Sequence, residues 1–277
     1  REDYLLPLMK GEKRGAFAFT EAQTIPNGKP TWASLENQEL TITGQKSFVS
    51  GGSNADFFST LVNIESKNRT SGTAIVLIDK NSKGLSIERE FRSIDGSSHI
   101  SIILNSVKVP DWHIVGEIGE GMPRALRNIS NVRMAIAAKS TGIASWATQF
   151  TVKNIQQPHR SGISLSEREG VRLRLAEMLI QVYAMRSILY RTAKIANTNN
   201  TPVMNEVLTT KVFCTEQVGM IIDRAIDLCG GSSLIEGHPL ERTYRDVRSL
   251  RFAEGASDTL RLNLAKDYLE SDNSIRF

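Results

Sequence analysis

From about Ala16 to Val115 the chain reads as short strands. Leu40 and Ile42 alternate with polar neighbours at period two, and Thr73 to Ile78 and Ile100 to Leu104 are β-branched apolar runs. Turn residues break these runs at Pro26-Asn27-Gly28, Gly51-Gly52, Asn81-Ser82-Lys83-Gly84 and Asp95-Gly96. The spacing predicts an antiparallel sandwich or barrel of about 100 residues.

From Gly119 onward the period becomes helical. A first helix is expected over Met122 to Ile155. A second follows Ser166, with Ser166 and Glu169 as a capping box. Its apolar residues Val171, Leu175, Met178, Val182, Met185 and Leu189 step by 4, 3, 4, 3 and 4, drawing one stripe along the helix. A third helix spans Met204 to Leu228 and stops at Gly230-Gly231. Two shorter helices cover Pro239 to Leu250 and Ser257 to Glu270. Long helices with short loops predict an antiparallel bundle. The fold class is therefore α+β: a β domain over 1–118, then a helical bundle over 119–277.

Composition adds few constraints. Apolar residues are 40% and charged residues 23% of 277, an ordinary balance for a globular chain with a sizeable core. No window approaches a membrane span. The net charge of +4 comes from basic residues scattered among acids, so a nucleic-acid partner is not expected. The two cysteines, Cys214 and Cys229, form no CxxC or Cys/His cluster, and no metal site is expected.

Read from residue types alone, the chemistry is thin. The four histidines lie far apart without ligand spacing. Gly116 to Gly121 is glycine-rich but makes no GxGxxG between a strand and a helix. No GxSxG, HExxH or Walker motif is present. Glu254, in Ala253-Glu254-Gly255, is on this basis an inert loop carboxylate.

Several segments in register nonetheless resemble the acyl-CoA dehydrogenase family. Gly15-Ala16-Phe17-Ala18-Phe19-Thr20-Glu21 is similar to the family's G-x-F-A-x-T-E-P. Ile42-Thr43-Gly44-Gln45-Lys46-Ser47-Phe48-Val49-Ser50-Gly51-Gly52 is similar to L-N-G-x-K-x-W-I-T-N-G. Val115-Gly116-Glu117 through Gly121-Met122 opens the helix bearing Arg133. Leu175-Ala176-Glu177-Met178, Leu228-Cys229-Gly230-Gly231, Tyr244-Arg245-Asp246 and Phe252-Ala253-Glu254-Gly255 follow in order.

The resemblance implies a middle β domain followed by an antiparallel four-helix bundle. It also implies oxidation of an acyl-CoA thioester to the enoyl-CoA with FAD, a carboxylate removing the α-proton while the β-hydride goes to the flavin. Glu254 matches the base, and its N–H matches a donor to the thioester oxygen. Some relatives carry the base one residue before the arginine matched by Arg133, but that position is Val132 here. Gly255 would let the thioester approach the backbone, and Ser130, Asn131 and Arg133 match the segment on the substrate's pantetheine. Phe17, Phe19, Thr20, Phe48, Val49 and Ser50 match residues against the flavin ring. Arg160, Asp227, Gly230, Gly231, Ala256 and Asp258 fall at or near its other contacts.

The departures cluster on the cofactor. The family's small-residue loop becomes Ala22-Gln23-Thr24-Ile25-Pro26-Asn27. Arg160 stands two residues from the expected arginine, carboxylates replace glutamines at Glu169 and Asp227, and Ala256 replaces a threonine. Like charges near a pyrophosphate cost affinity. Three readings follow: an FAD-dependent acyl-CoA dehydrogenase of fatty acid metabolism; a flavin-poor or non-catalytic subunit of a hetero-oligomer; or a binding paralogue or flavin monooxygenase on the same fold. The implied partners are acyl-CoA or an acyl-carrier thioester, electron-transferring flavoprotein, and further copies of the chain as dimer or tetramer. The compartment is bacterial cytoplasm or mitochondrial matrix. Family members carry a helical domain before the region matched here, which would complete the acyl pocket. The resemblance therefore implies a fragment, or a chain whose preceding residues are not included.

Overall fold

The computed structural model describes residues 2–22, 29–65, 71–198 and 203–270. The expected turn at Pro26-Asn27-Gly28 and the altered loop over 23–27 lie outside them. The chain forms two compact units, 1–128 and 129–277, dividing inside a helix.

The first unit opens with a short helix, α1 (Leu5–Lys10), and builds one sheet: β1 (Gly15–Ala18), β2 (Trp32–Glu36), β3 (Glu39–Ser50), β4 (Phe57–Glu65), β5 (Gly72–Asp79), β6 (Leu85–Arg92), β7 (Ser98–Pro110) and β8 (Ile114–Val115). The order is β6-β7-β3-β2-β4-β5-β8, with β1 also on β4. The alternation works as expected on β3, where Leu40, Ile42 and Val49 turn inward against Ile100, Ile102, Leu104 and Val107 of β7. β4 is buried on both faces. Phe58, Val62 and Ile64 join that core, while Leu61 joins Ile75 and Ala125 in a second cluster flanked by Phe17, Phe19 and Met122.

The sheet is mixed, which corrects the purely antiparallel expectation. β5 occupies one edge of β4 along its length, leaving the other edge to two short strands end to end. β1 pairs with Phe57 to Thr60 and β2 with Asn63 to Glu65, both in parallel. Period-two alternation reports which face is buried, not which way a neighbour runs.

Gly44 sits where β3 slips register against β7. A Cβ there would lie 2.6 Å from the Thr31 backbone and 2.5 Å from its hydroxyl, and backbone cannot swing aside. Gly44→Ala should therefore lower stability by about 1–3 kcal/mol, the usual cost of overpacking. A chemical-denaturation midpoint equal to wild type would refute this.

The described helices that follow are α2 (Gly121–Ile155), α3 (Glu169–Thr198), α4 (Met204–Cys229), α5 (Pro239–Ser249) and α6 (Ser257–Glu270). The expected domain boundary at 118 precedes α2, whose first turns pack on the sheet. Ala125 is buried against Leu61 and Ile75, and the Met122 N–H donates to Thr73 Oγ1 at 2.9 Å.

In the second unit the predicted α3 stripe packs inward. Met178 and Met185 are buried, with Val171, Leu175, Val182 and Leu189 against the same core. The proposed capping box is not used. Ser166 lies in a 3-10 turn, Leu165–Glu167, and Ser164 Oγ accepts from the Ser166 N–H, so α3 starts only at Glu169. α4 supplies much of the core through Cys214, Val218, Ile221, Ile222, Ala225 and Leu228. It ends at Gly230, where φ is +81°.

Candidate active site

The site grows out of the turn between α5 and α6. After Ser249 the chain does not continue as helix. The N–H groups of Phe252 and Ala253 return to the Ser249 carbonyl at 2.9 and 3.2 Å, and that of Ser257 returns to Arg251 O at 3.1 Å. Glu254, between them, has φ +54°, the left-handed region that costs a side-chain-bearing residue energy. Gly255 follows at φ +108°, and a Cβ there would lie 2.9 Å from Leu260 Cδ2 and 3.4 Å from Arg133 Nη2. The positive φ favours glycine here, and a Cβ would also oblige the Leu260 side chain to shift.

Two buried cations hold this turn. Arg133 of α2 donates from Nε to the Glu254 carbonyl at 2.9 Å. Lys211 of α4, completely buried, donates from Nζ to Gly255 O at 2.8 Å and Arg251 O at 3.1 Å. Met204 Sδ accepts from Ser130 Oγ at 3.6 Å and from Arg133 Nη1 at 3.9 Å. Among the described residues the Glu254 N–H and carboxylate have no hydrogen-bond partner.

Burial governs the electrostatics. Half-buried Glu254 has its pKa raised above the ordinary carboxylate value, because desolvation outweighs the attraction of Arg133 and Lys211. Burial, with Arg133 nearby, holds Lys211 down at about 8. Arg133 is lowered by burial, against the pull of Glu254. The result is a carboxylate reluctant to ionise, beside a backbone donor with no partner among the described residues, an arrangement that can take up a proton and stabilise negative charge next to it.

The structure therefore brings Ser130, Arg133, Glu254 and Gly255 together, with the Arg133 guanidinium turned onto the loop. Asn131 is exposed on α2 and Ala256 is half-buried after Gly255. The remaining candidates of this unit do not join them. Arg160 is exposed in the loop after α2, Asp227 is exposed in the last turn of α4, Gly230 caps that helix, and Gly231 opens the 3-10 turn Gly231–Leu234. Asp258 is exposed and pairs with Arg261 at 3.1 Å.

In the first unit Phe17 and Phe19 stack with centroids 5.6 Å apart. Thr20 runs beside β3, its carbonyl accepting from the Ser47 N–H at 2.9 Å. A register shift between Lys46 and Val49 puts Phe48 at φ +54° and turns its ring outward, 54% exposed, while Val49 beside it is buried. Ser50 Oγ lies 3.1 Å from His99 Nδ1. The bulge leaves the Phe48 ring exposed, edge-on to Phe91 with centroids 5.2 Å apart, a surface on which a flat aromatic ring such as a flavin's could stack.

Two lysines went unrecognised in the sequence. Leu208, Lys211, Thr215, Val218 and Ile222 step by 3, 4, 3 and 4, so Lys211 stands on the apolar stripe of α4. Lys46 likewise takes the inward parity of Leu40 and Ile42 on β3 and is fully buried.

The family model for the acyl-CoA dehydrogenase C-terminal domain matches residues 119–269. The chain belongs to the acyl-CoA dehydrogenase family. Among curated relatives it is 29% identical over 266 residues to a short-chain specific acyl-CoA dehydrogenase of Clostridium acetobutylicum, covering 95% of this chain and 70% of that one. It is 27% identical over 276 residues to an acryloyl-CoA reductase (NADH) of Anaerotignum propionicum, covering 98% and 70%. Among solved structures, butyryl-CoA dehydrogenase from Megasphaera elsdenii superposes with a TM-score of 0.85 at 24% identity, over 97% of this chain and 71% of that one. That likeness establishes the fold: a mixed sheet followed by helices, as in the family's middle and C-terminal domains. Among the described residues no helix is long and apolar enough to cross a membrane, and no cluster of His, Cys, Asp or Glu is placed to hold a metal ion.

Proposed function

We propose that this chain carries the proton-abstracting half of an FAD-dependent acyl-CoA dehydrogenase, with Glu254 as the base. The observation that carries the reading is the Glu254 loop: a half-buried carboxylate with a raised pKa next to its own N–H, which has no partner among the described residues.

An α C–H beside a thioester is a weak acid, so its base must be partly stripped of water and its oxygens must be free. Glu254 meets both conditions. As the α-proton moves onto a Glu254 carboxylate oxygen, negative charge collects on the thioester carbonyl. The Glu254 N–H donates to that oxygen. Arg133 fixes the next peptide through the Glu254 carbonyl, and Gly255 leaves room beside it. Bound FAD would supply the acceptor for the β-hydride, so that loss of proton and hydride yields the enoyl thioester. Phe17, Phe19, Thr20, Phe48 and Ser50 would hold its ring. We assign electron-transferring flavoprotein as the acceptor of the electrons and a homo-oligomer as the working assembly.

The test is anaerobic addition of saturated acyl-CoAs of graded chain length to the FAD-loaded protein. At least one should bleach the visible flavin absorbance; a protein that binds FAD and is bleached by none overturns the reading. The base must be ionised to act, so bleaching should slow as pH falls through the raised pKa. Its inflection should lie above the ordinary value of 4.5. A rate indifferent to pH, or an inflection at or below 4.5, refutes the assignment of the base.

A further inference from the structure

We infer that Lys211 is a positioning residue for the reaction, a buried clamp that holds the turn bearing Glu254 in its working shape. The inference rests on the reading of Glu254 as base and deepens it.

Lysine is seldom fully buried without a carboxylate partner. Lys211 is fully buried, and its hydrogen bonds go to backbone: the carbonyls of Arg251 and Gly255, which bracket Glu254. One ammonium thus ties the two ends of the turn to a single point on α4, while Arg133 pins the carbonyl between them. Together they hold the Glu254–Gly255 peptide and the carbonyls at both ends of the turn, around a residue whose φ of +54° is unfavourable, and among the described residues its N–H has no acceptor. The far ends are anchored too. Arg251 Nη2 reaches Glu216 O at 3.4 Å, over a glycine, Gly219, whose Cβ would stand 2.8 Å from that nitrogen. Stability alone would be served as well by an apolar side chain on the α4 stripe. What the lysine adds is a fixed geometry, and misplacing a catalytic group by about 1 Å costs on the order of 100-fold in rate.

The charged groups facing Lys211 are Arg133 of α2, Glu254 of the turn and Glu216 of its own helix. The ammonium attracts the Glu254 carboxylate, so removing it should raise the pKa of that base further.

The experiment follows α-proton exchange in D2O by proton NMR, with FAD-loaded protein and 3,3-dimethylbutyryl-CoA. This thioester has α-hydrogens but none on the β-carbon, so the proton step is seen without hydride transfer. Lys211→Met should slow exchange about 100-fold, change probe affinity less than about threefold, and shift the acid limb of the pH profile upward. Exchange within threefold of wild type, with the acid limb unmoved, overturns the clamp. Lys211→Gln answers the same question if the methionine variant does not fold. Glu254→Gln separates the two readings. If it keeps exchanging, the base assignment fails; if it stops while Lys211→Met continues, only the clamp fails.

Discussion

Glu254→Gln should abolish flavin bleaching by acyl-CoA, with a loss of at least ~1000-fold, the upper range of a general-base contribution. FAD content and thermal stability should not fall. The amide has nearly the shape of the acid, and no hydrogen bond among the described residues ends on the carboxylate. The sign of the stability effect follows from linkage. A carboxylate whose pKa is higher folded than unfolded binds more protons in the folded state across the interval between the two values. Stability therefore falls as pH rises through that interval, and at neutral pH the ionised group is a burden on the fold. The amide of the variant carries no charge to desolvate, so the melting temperature should be equal or higher. Inactivity with undiminished stability is the signature of a group kept for chemistry. Bleaching at near-normal rate overturns the role, and a variant that unfolds would show the carboxylate to be structural.

The fold was legible where hydrophobic period carried it. The α3 stripe from Val171 to Leu189 and the stop of α4 at Gly230 could be read residue by residue, because both depend on neighbours a few positions away. The parallel pairing of β1 and β2 on β4 could not, since direction leaves no mark on alternation. The site shows the same division. Nothing in Ala253-Glu254-Gly255 announces a left-handed glutamate held from elsewhere. Arg133 lies 121 positions from the carbonyl it grips, and Lys211 lies 44 from Gly255. Only resemblance pointed to Glu254. Lys211 and Lys46 were legible in another way. Each occupies an inward position of an amphipathic pattern, where a lysine is costly, and such a breach of pattern marks a specific partner.

Lys46 shows how large that effect should be. It is fully buried on β3, and its Nζ donates to Glu21 Oε1 at 2.5 Å and to Phe19 O at 3.2 Å. Burial pulls its pKa down while Glu21 holds it up. The second oxygen of Glu21 accepts from Thr31 Oγ1 at 2.8 Å and from the Thr31 N–H at 3.2 Å. Glu21 is therefore the common counterpart of a buried cation and a buried threonine, next to the segment that carries Phe19 and Thr20. Glu21→Ala should cost about 3–5 kcal/mol, the penalty for leaving one member of a buried pair without its partner. Lys46→Met should cost much less. Its apolar replacement suits the inward position, and Glu21 is partly exposed and keeps Thr31. The double variant should recover most of the loss, because the lysine stranded by Glu21→Ala is then gone. Denaturation midpoints of the three variants decide the matter. Equal losses from the two single variants, or a Glu21→Ala cost under about 1 kcal/mol, would mean that the pair is screened by water as surface pairs are.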